Sequence, residues 1–351
     1  MSGGVDSAVA AYLLKQEGYD VIGVTLRTWQ SDDGQESRCC EIDDAREVAR
    51  TIGIPYHVFN CRSDFECKVI KPFIDDYIHG FTPNPCVICN REIKWERLLY
   101  YAKLLEADFV ATGHYAYVIK LDNGRYTVKK ADHAEKDQTY MLYRLTQEQL
   151  SKTLMPLGGY SKREVRETAE KAGIKVAAKP DSQEICFVLD GDYAGFIEKH
   201  ADNIPGTGNF VDEQGNVLGK HKGIIHYTVG QRKKLGIALG KPAHIKKICA
   251  DNNDIVLSTS DDIGCFAIVC KDLNFTGIKE PAVGDKLRFH VKVRYRHPGM
   301  TATCEMTAPD CMRITFDAPV HLAAPGQSAV FYGENDCLIG GGIISEVIFD
   351  E

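Results

Sequence analysis

Met1-Ser2-Gly3-Gly4-Val5-Asp6-Ser7-Ala8 opens the chain and runs straight into a helical pattern, with Val5, Val9 and Leu13 at four-residue spacing and Gly18 as its stop. Ser2, Gly3, Gly4 and Ser7 place small side chains and free backbone N–H groups where that helix begins. The unsatisfied donors and the positive dipole end of a helix N-terminus favour a phosphate chain at this point. No Lys-Ser or Lys-Thr pair follows the glycines, so this is not the loop type that grips a γ-phosphate with a lysine. A glycine loop of this kind hangs from a buried β-strand. None precedes Ser2 here, and a strand of about 5–10 residues rich in Val, Ile or Ala is expected to be encoded upstream of Met1.

Strands and helices then alternate. Tyr19–Leu26 is an apolar run of strand length, and Asp43–Ile52 repeats the helical signal through Ala45, Val48, Ala49 and Ile52 before Gly53. Ile54–Phe59 reads as a strand, Asn90–Leu105 as an amphipathic helix with Trp95, Leu98, Leu99, Ala102 and Leu105 on one face, and Asp108–Thr112 as a short buried strand before Gly113-His114. This order predicts an α/β fold with a doubly wound parallel sheet, in which ligands sit beyond the carboxyl ends of strands, after Leu26 and Thr112. Tyr117–Lys130 reads as a hairpin turning at Asp122-Asn123-Gly124, and Ser161–Gly173 as a helix with Ser161 and Glu164 in a capping box. Helical periodicity fades after Asp202–Gly206, and from Gly264 short strands and glycine turns predict an all-β barrel or sandwich. Three domains are expected: residues 1–200, a small central unit at 201–263, and the β unit at 264–351.

With 44% hydrophobic and 26% charged residues among 351, the composition is globular. No apolar run approaches the ~20 residues that span a bilayer, and no leader pattern precedes the loop. Thirteen scattered cysteines, an odd number, then read as reduced thiols in a cytoplasm. A net charge of −7 argues against nucleic acid, but its distribution argues the other way. Leu218–Ala250 carries eight Lys or Arg and no Asp or Glu. Between Lys286 and Arg296, the cationic candidates Arg288, His290, Lys292, Arg294 and Arg296 alternate with Leu287, Phe289, Val291, Val293 and Tyr295, which predicts one cationic strand face suited to phosphates.

Three thiols invite chemistry. Thr82-Pro83-Asn84-Pro85-Cys86-Val87-Ile88-Cys89-Asn90 brings two to a helix start, where Asn90 as N-cap would leave Cys89 in a field that favours thiolate. A lone C-x-x-C is equally half a zinc site, a redox pair or neither, and no second one follows. Cys186 closes Lys179-Pro180-Asp181-Ser182-Gln183-Glu184-Ile185-Cys186, where a core cysteine is the ordinary reading. Cys39-Cys40 falls in a polar loop and receives no role.

Ser-Gly-Gly-x-Asp-Ser resembles the PP-loop of ATP pyrophosphatases, which adenylylate a substrate and release pyrophosphate. Together with Thr82–Trp95, Ala111-Thr112-Gly113-His114-Tyr115, Lys136-Asp137-Gln138, Asp181–Phe187 and Ala324–Val330, it resembles the tRNA-specific 2-thiouridylase family across essentially the whole chain. The resemblance implies a PP-loop sheet of adenine nucleotide alpha hydrolase type, a central tRNA-binding adaptor and a C-terminal β-barrel. It implies that ATP, with Mg²⁺, activates the carbon-2 carbonyl of the wobble uridine of tRNA, and that sulfur from a persulfide donor, a cysteine desulfurase or relay protein, replaces the oxygen.

By position, Cys186 would carry the persulfide, and Cys89 would be the second cysteine, able to form a disulfide with it. Met1, Ser2, Gly3, Gly4, Val5, Asp6, Ser7 and Ala8 would line the ATP phosphates, with Leu26 and Gly113 against the adenosine. Asn84, Pro85 and Cys86 would face the target base, and His114, Lys136, Asp137, Gln138, Arg294, Tyr295 and Gln327 the tRNA. Some members have Asp at the position of Cys86. Its presence here leaves an iron–sulfur cluster on Cys86, Cys89 and Cys186 as an open alternative to persulfide relay. Other PP-loop tRNA thiolases or synthetases, and a tRNA-binding protein with impaired catalysis, are the competing functions.

Overall fold

A computed structural model describes residues 1–178, 184–259, 264–321 and 323–349. The start of the Cys186 motif at 179–183 and the expected boundary at 263 lie outside the described residues.

Helix α1 (Val5–Gln16) follows the glycine loop, and its Val5, Ala8, Val9 and Ala10 are buried. Strand β1 (Gly23–Arg27) leads to helix α2 (Ile42–Ile52), which carries Asp43 and Asp44 in its first turn and Arg50 in its last, matching the helix dipole. Gly53, at φ 67°, ends it in the left-handed conformation that glycine adopts without a Cβ penalty. β2 (Tyr56–Asn60) then pairs with β1 in parallel, Gly23 opposite Tyr56 and Arg27 opposite Asn60. Further on come β3 (Val110–Ala111), the hairpin strands β4 (Ala116–Lys120) and β5 (Tyr126–Lys130), and β6 (Thr153–Leu154), which pairs in parallel with β3. The parallel sheet is therefore present as two two-stranded pieces. The glycine loop touches both. Met1 N–H donates to the Val24 carbonyl and Met1 O accepts from Thr25 Oγ1 at 2.6 Å, while Gly113, just beyond β3, packs on the Asp6–Ser7 backbone.

The cysteine-bearing helical run, 85–104, starts earlier than its periodicity predicts. Asn84, not Asn90, is the N-cap: its side chain accepts the Cys86 N–H at 3.2 Å, and Pro85 fills the first helical position, where no donor is needed. Asn90–Trp95 is wound as a π-helix. That extra residue per turn swings Trp95 into the core, where its indole N–H donates to Thr153 Oγ1 at 2.7 Å.

Strands β7 (Gly208–Val211), β8 (Val217–His221), β9 (His244–Cys249) and β10 (Asp254–Ser258) form a four-stranded sheet in the order β8-β7-β10-β9 over its own core of Phe210, Ile224, Tyr227, Ile245 and Ile255. The last strands, β11 (Cys265–Phe275), β12 (Lys286–Lys292), β13 (Met300–Ala308), β14 (Cys311–Val320), β15 (Ser328–Tyr332) and β16 (Leu338–Ile348), close into a barrel in the order β11-β14-β13-β12-β15-β16. Closure removes the free edges that a sandwich would leave. β12 ends at Lys292, so Arg294, Tyr295 and Arg296 lie in the turn after it and not on the strand. Its cationic row is also partly neutralised, because Arg288 pairs with Asp317 at 2.6 Å and Lys286 with Glu305 at 3.1 Å. Trp95, Tyr140 and Tyr143 share one core cluster with the barrel's Val330, Tyr332 and Leu338, which joins the first and last domains.

Candidate functional site

Two serines brace the glycine loop. Ser2 N–H donates to Ser7 Oγ at 3.1 Å, Gly4 N–H to Ser2 Oγ at 3.3 Å, and Ser7 Oγ–H to the Gly4 carbonyl at 3.0 Å. The first-turn N–H groups of Val5, Asp6 and Ser7 have no intrahelical acceptor and are the donors an anion would take. Val5 and Ala8 point into the core, so of these two only the main chain faces the loop. Two close approaches depend on glycine. At Gly3, with φ +82°, a Cβ would fall 2.5 Å from Glu41 Cβ, and at Gly113 it would fall 2.6 Å from the carbonyl carbon of Asp6. Asp6 is gripped by Lys162, whose Nζ lies 2.8 and 2.9 Å from its two carboxylate oxygens, and by the Tyr115 hydroxyl at 2.6 Å. Lys162 escaped the sequence reading. Its signal was a cation at the first position of the Ser161-capped helix, where the dipole disfavours positive charge.

A thiol-rich loop lies on this one. Glu41 N–H donates to the Ser2 carbonyl at 3.2 Å, and the Cys40 thiol donates to the Leu26 carbonyl at 3.0 Å and lies 3.1 Å from Thr28 Oγ1. The preceding residues reach Cys186: Arg38 N–H donates to the Cys186 carbonyl at 3.1 Å, and the Arg38 guanidinium lies 3.1 Å from Glu184 Oε2. Cys39 Sγ is 3.8 Å from Cys40 Sγ, and the influence of the Cys186 thiol together with burial pushes Cys39 up to about 11.

Cys89 is buried and Cys86 exposed. Burial pushes Cys89 well above the usual thiol range despite nearby Lys94, so the expected dipole-favoured thiolate is absent. Cys89 sits inside the helix, not at its cap. Lys94, five residues on and one π-turn away, also escaped the sequence reading. Burial works to lower it, but the thiols Cys89, Cys39, Cys86 and Cys186 outweigh that and raise its pKa. The His114 ring centroid lies 5.4 Å from that of Trp95, and burial with Lys94 nearby lowers its pKa to about 3, so it is a neutral imidazole accepting from or donating to Thr112 Oγ1 at 2.9 Å. Among the described residues no group of three or more His, Cys, Asp or Glu side chains is gathered as metal ligands.

The residues expected at the tRNA divide into separate places. Lys136, Asp137 and Gln138 meet Tyr295, whose hydroxyl donates to the Asp137 carbonyl at 3.0 Å. The Asp137 carboxylate does not face outward. It is 7% exposed, accepts from Thr139 Oγ1 at 2.8 Å, and burial raises its pKa. Gln138 accepts the Tyr115 N–H at 3.0 Å, tying this segment to Asp6. Gln327 donates to the Thr82 carbonyl at 2.7 Å and pins the loop ahead of Asn84, Pro85 and Cys86 to the barrel. Arg294 stands apart, in a cleft of about 730 Å³ that it shares with Tyr193, Lys222, Gln231, Lys233 and Lys234.

A serine-braced glycine loop at a helix N-terminus, beside pieces of a parallel sheet, defines a HUP-type nucleotide-binding domain. The family model described as tRNA methyl transferase HUP domain matches residues 1–190, its PRC-barrel companion 194–259, and the aminomethyltransferase beta-barrel domain 266–344. The chain is 51% identical over 351 residues to the tRNA-specific 2-thiouridylase MnmA of Lachnoclostridium phytofermentans, covering 98% of each chain. It is 50% identical to that of Clostridioides difficile, covering 99% of this chain and 97% of the relative, and 48% identical to that of Acetivibrio thermocellus, covering 98% and 97%. The chain belongs to the tRNA-specific 2-thiouridylase family.

Proposed function

We propose that this protein is a tRNA-uridine 2-sulfurtransferase that uses ATP to activate the carbon-2 carbonyl of the wobble uridine and replaces its oxygen with sulfur. The observation that carries the reading is the stacking of the Cys39–Glu41 loop on the glycine loop, through the Glu41-to-Ser2 hydrogen bond, which sets thiols beside the phosphate-binding donors. Family membership supports ATP binding at the loop, tRNA as substrate and a persulfide donor as partner. In this assignment the N–H groups after Gly3 hold the phosphates, and Asp6 and Ser7 offer the hard oxygens that Mg²⁺ accompanying ATP prefers. Leu26 and Gly113 border the adenosine through their backbones.

AMP is a far better leaving group than oxide, so adenylylation opens carbon 2 to a sulfur nucleophile. Cys186 carries the persulfide and Cys89 is the second thiol of the sulfur step. Neutral His114 donates or accepts a hydrogen bond without adding charge, while Lys94 supplies the positive field in which sulfur anions form. Asn84, Pro85 and Cys86 stand at the base. Arg294 with Lys222, Lys233 and Lys234 contacts the phosphate backbone, and the basic segment that contains the three lysines forms the adaptor at 201–263, between the nucleotide domain at 1–200 and the barrel at 264–351, which supplies Arg294. The test is mass spectrometry of wobble uridine after incubation of tRNA with the protein, ATP, Mg²⁺ and a sulfur source. The 2-thio product is expected with this chain and is expected to vanish with Cys186→Ala. Unmodified tRNA with the unaltered chain overturns the assignment. Among the described residues no helix is long and apolar enough to cross a membrane.

A further inference from the structure

Asp6 offers its carboxylate beside the phosphate-binding donors, yet both of its oxygens are already taken. Lys162 Nζ lies 2.8 Å from Oδ1 and 2.9 Å from Oδ2, and the Tyr115 hydroxyl donates to Oδ1 at 2.6 Å. The ammonium is drawn into the fold to make this grip: the Lys162 side chain is 14% exposed, against 81% for its neighbour Arg163. Its place in the helix works against it. Lys162 is the first residue of the helix Lys162–Lys171, directly after the N-cap Ser161, at the dipole end that repels a cation and attracts an anion. Val165 and Ala169 of that helix share a buried cluster with Val5, Ala8 and Val9 of α1. Two helix N-termini therefore meet at the Asp6–Lys162 pair. Two positive dipole ends and one ammonium face one carboxylate there, an excess of positive potential that suits a polyphosphate.

We propose that Lys162 is a displaceable counter-ion. It neutralises Asp6 while the phosphate site is empty, and when ATP enters it passes from Asp6 to the oxygens of the β- and γ-phosphates, the half of ATP that leaves as pyrophosphate. This rests on the glycine loop holding the ATP phosphates, as proposed for the reaction. Competition for one carboxylate drives the exchange. Asp6 offers hard oxygens to the divalent cation that accompanies ATP, and an ammonium left on the same two oxygens would repel that cation at close range. The phosphates that arrive with the cation supply the negative charge that receives the lysine, so the trade leaves each charge paired. Lys162 keeps its protons throughout and forms no covalent bond. Its contribution is electrostatic: it offsets the charge that gathers on pyrophosphate as the α-phosphorus passes to the carbonyl oxygen of the base. Lys162 accordingly recognises pyrophosphate and is indifferent to AMP.

The experiment is isothermal titration of the full-length protein, unaltered, as Lys162→Gln and as Lys162→Arg. The probes are inorganic pyrophosphate with Mg²⁺, AMP with Mg²⁺, and Mn²⁺ alone. Glutamine keeps an N–H for Asp6 and removes only the charge, and arginine keeps the charge should the glutamine variant fold poorly. Lys162→Gln is expected to bind pyrophosphate at least about tenfold more weakly and AMP as before, the loss of one charge-assisted contact. It is also expected to bind Mn²⁺ more tightly than the unaltered chain, because Asp6 has lost its competitor. Lys162→Arg should recover most of the pyrophosphate affinity. A lysine that merely holds the fold together would weaken pyrophosphate and AMP alike, and that pattern overturns the proposal. Unchanged pyrophosphate affinity in Lys162→Gln does so too, as does Mn²⁺ binding that fails to tighten. If the unaltered chain binds neither pyrophosphate nor ATP, the assignment of the glycine loop has failed and the counter-ion exchange falls with it, a result distinct from the others.

Discussion

Replacing Gly113 by alanine puts one methyl group into the backbone of the glycine loop. The new Cβ would lie 2.6 Å from the Asp6 carbonyl carbon, 2.7 Å from the Ser7 nitrogen and 2.8 Å from the Asp6 carbonyl oxygen. Carbon contacts are comfortable at about 3.5–4.0 Å, so loop and strand end must part by roughly 1 Å. No flexible side chain can absorb this, because all of these atoms are main chain. Overpacking of this kind costs about 1–3 kcal/mol. The groups displaced are the N–H donors proposed to hold the ATP phosphates, and a misplacement of about 1 Å in a positioned reactant costs on the order of 10²-fold in rate. Gly113→Ala is therefore expected to lower the urea midpoint and to weaken ATP binding at least tenfold by isothermal titration, with about 10²-fold slower thiolation. Gly124→Ala is the control: its φ is +81° but nothing lies within 4 Å of the added carbon, so it loses only about 1 kcal/mol of stability to backbone strain and binds ATP normally. A Gly113→Ala protein with unaltered midpoint and unaltered ATP affinity would refute the assignment of these donors.

Three further outcomes are expected. His114 has a folded pKa near 3 against 6.5 when unfolded, so below pH 6.5 the unfolded chain binds a proton that the folded chain refuses. Stability then falls as pH drops through that window by up to about 1.4 kcal/mol per pH unit, and His114→Gln should flatten this slope in urea titrations at successive pH values. Lys162→Met strips the ammonium from Asp6 and should remove about 1.5–3 kcal/mol of charge-assisted bonding, seen as slower pyrophosphate release; a wild-type rate would show that the pair is idle. Substituting Lys233 and Lys234 together by glutamine should weaken tRNA binding at all sequences and reduce the slope of log affinity against log salt by about 1–2, which filter binding over a salt series can read.

Features governed by neighbours in sequence were the legible ones. Gly53 ends α2, Ser161 and Glu164 form a capping box with both hydrogen bonds made, and Asp122–Gly124 turns the β4–β5 hairpin. The reading of Asn90 as cap went wrong because Pro85 admits a helix start that the apolar periodicity alone does not mark, and the π-turn then shifts that periodicity. β12 stops at Lys292 although the alternation runs on, since pattern records which face a residue prefers and not where the ladder ends. Barrel closure depends on β11 meeting β16, a pairing between distant segments that no local signal announces. The same holds for the site. The loop motif was readable, whereas Lys162 on Asp6 and Arg38 on the Cys186 carbonyl arise only when residues about 150 positions apart fold together.

Gly340, Gly341 and Gly342 leave part of β16 bare, and the Tyr143 ring occupies that bareness: a Cβ on Gly341 would sit 2.6 Å from Tyr143 Cδ2. Tyr140 donates to the Ser328 carbonyl at 2.8 Å beside it, and Arg125 holds the Thr276 and Phe275 carbonyls at 2.9 and 2.7 Å. The joint between first and last domains thus sets rings directly against main chain and adds guanidinium bonds to main-chain carbonyls. The turn bearing Tyr295 and the loop ahead of Cys86 and Cys89 are each tied across this joint, Tyr295 to the Asp137 carbonyl and Thr82 to Gln327 of the barrel, so the spacing between them is set by the packing of the two domains.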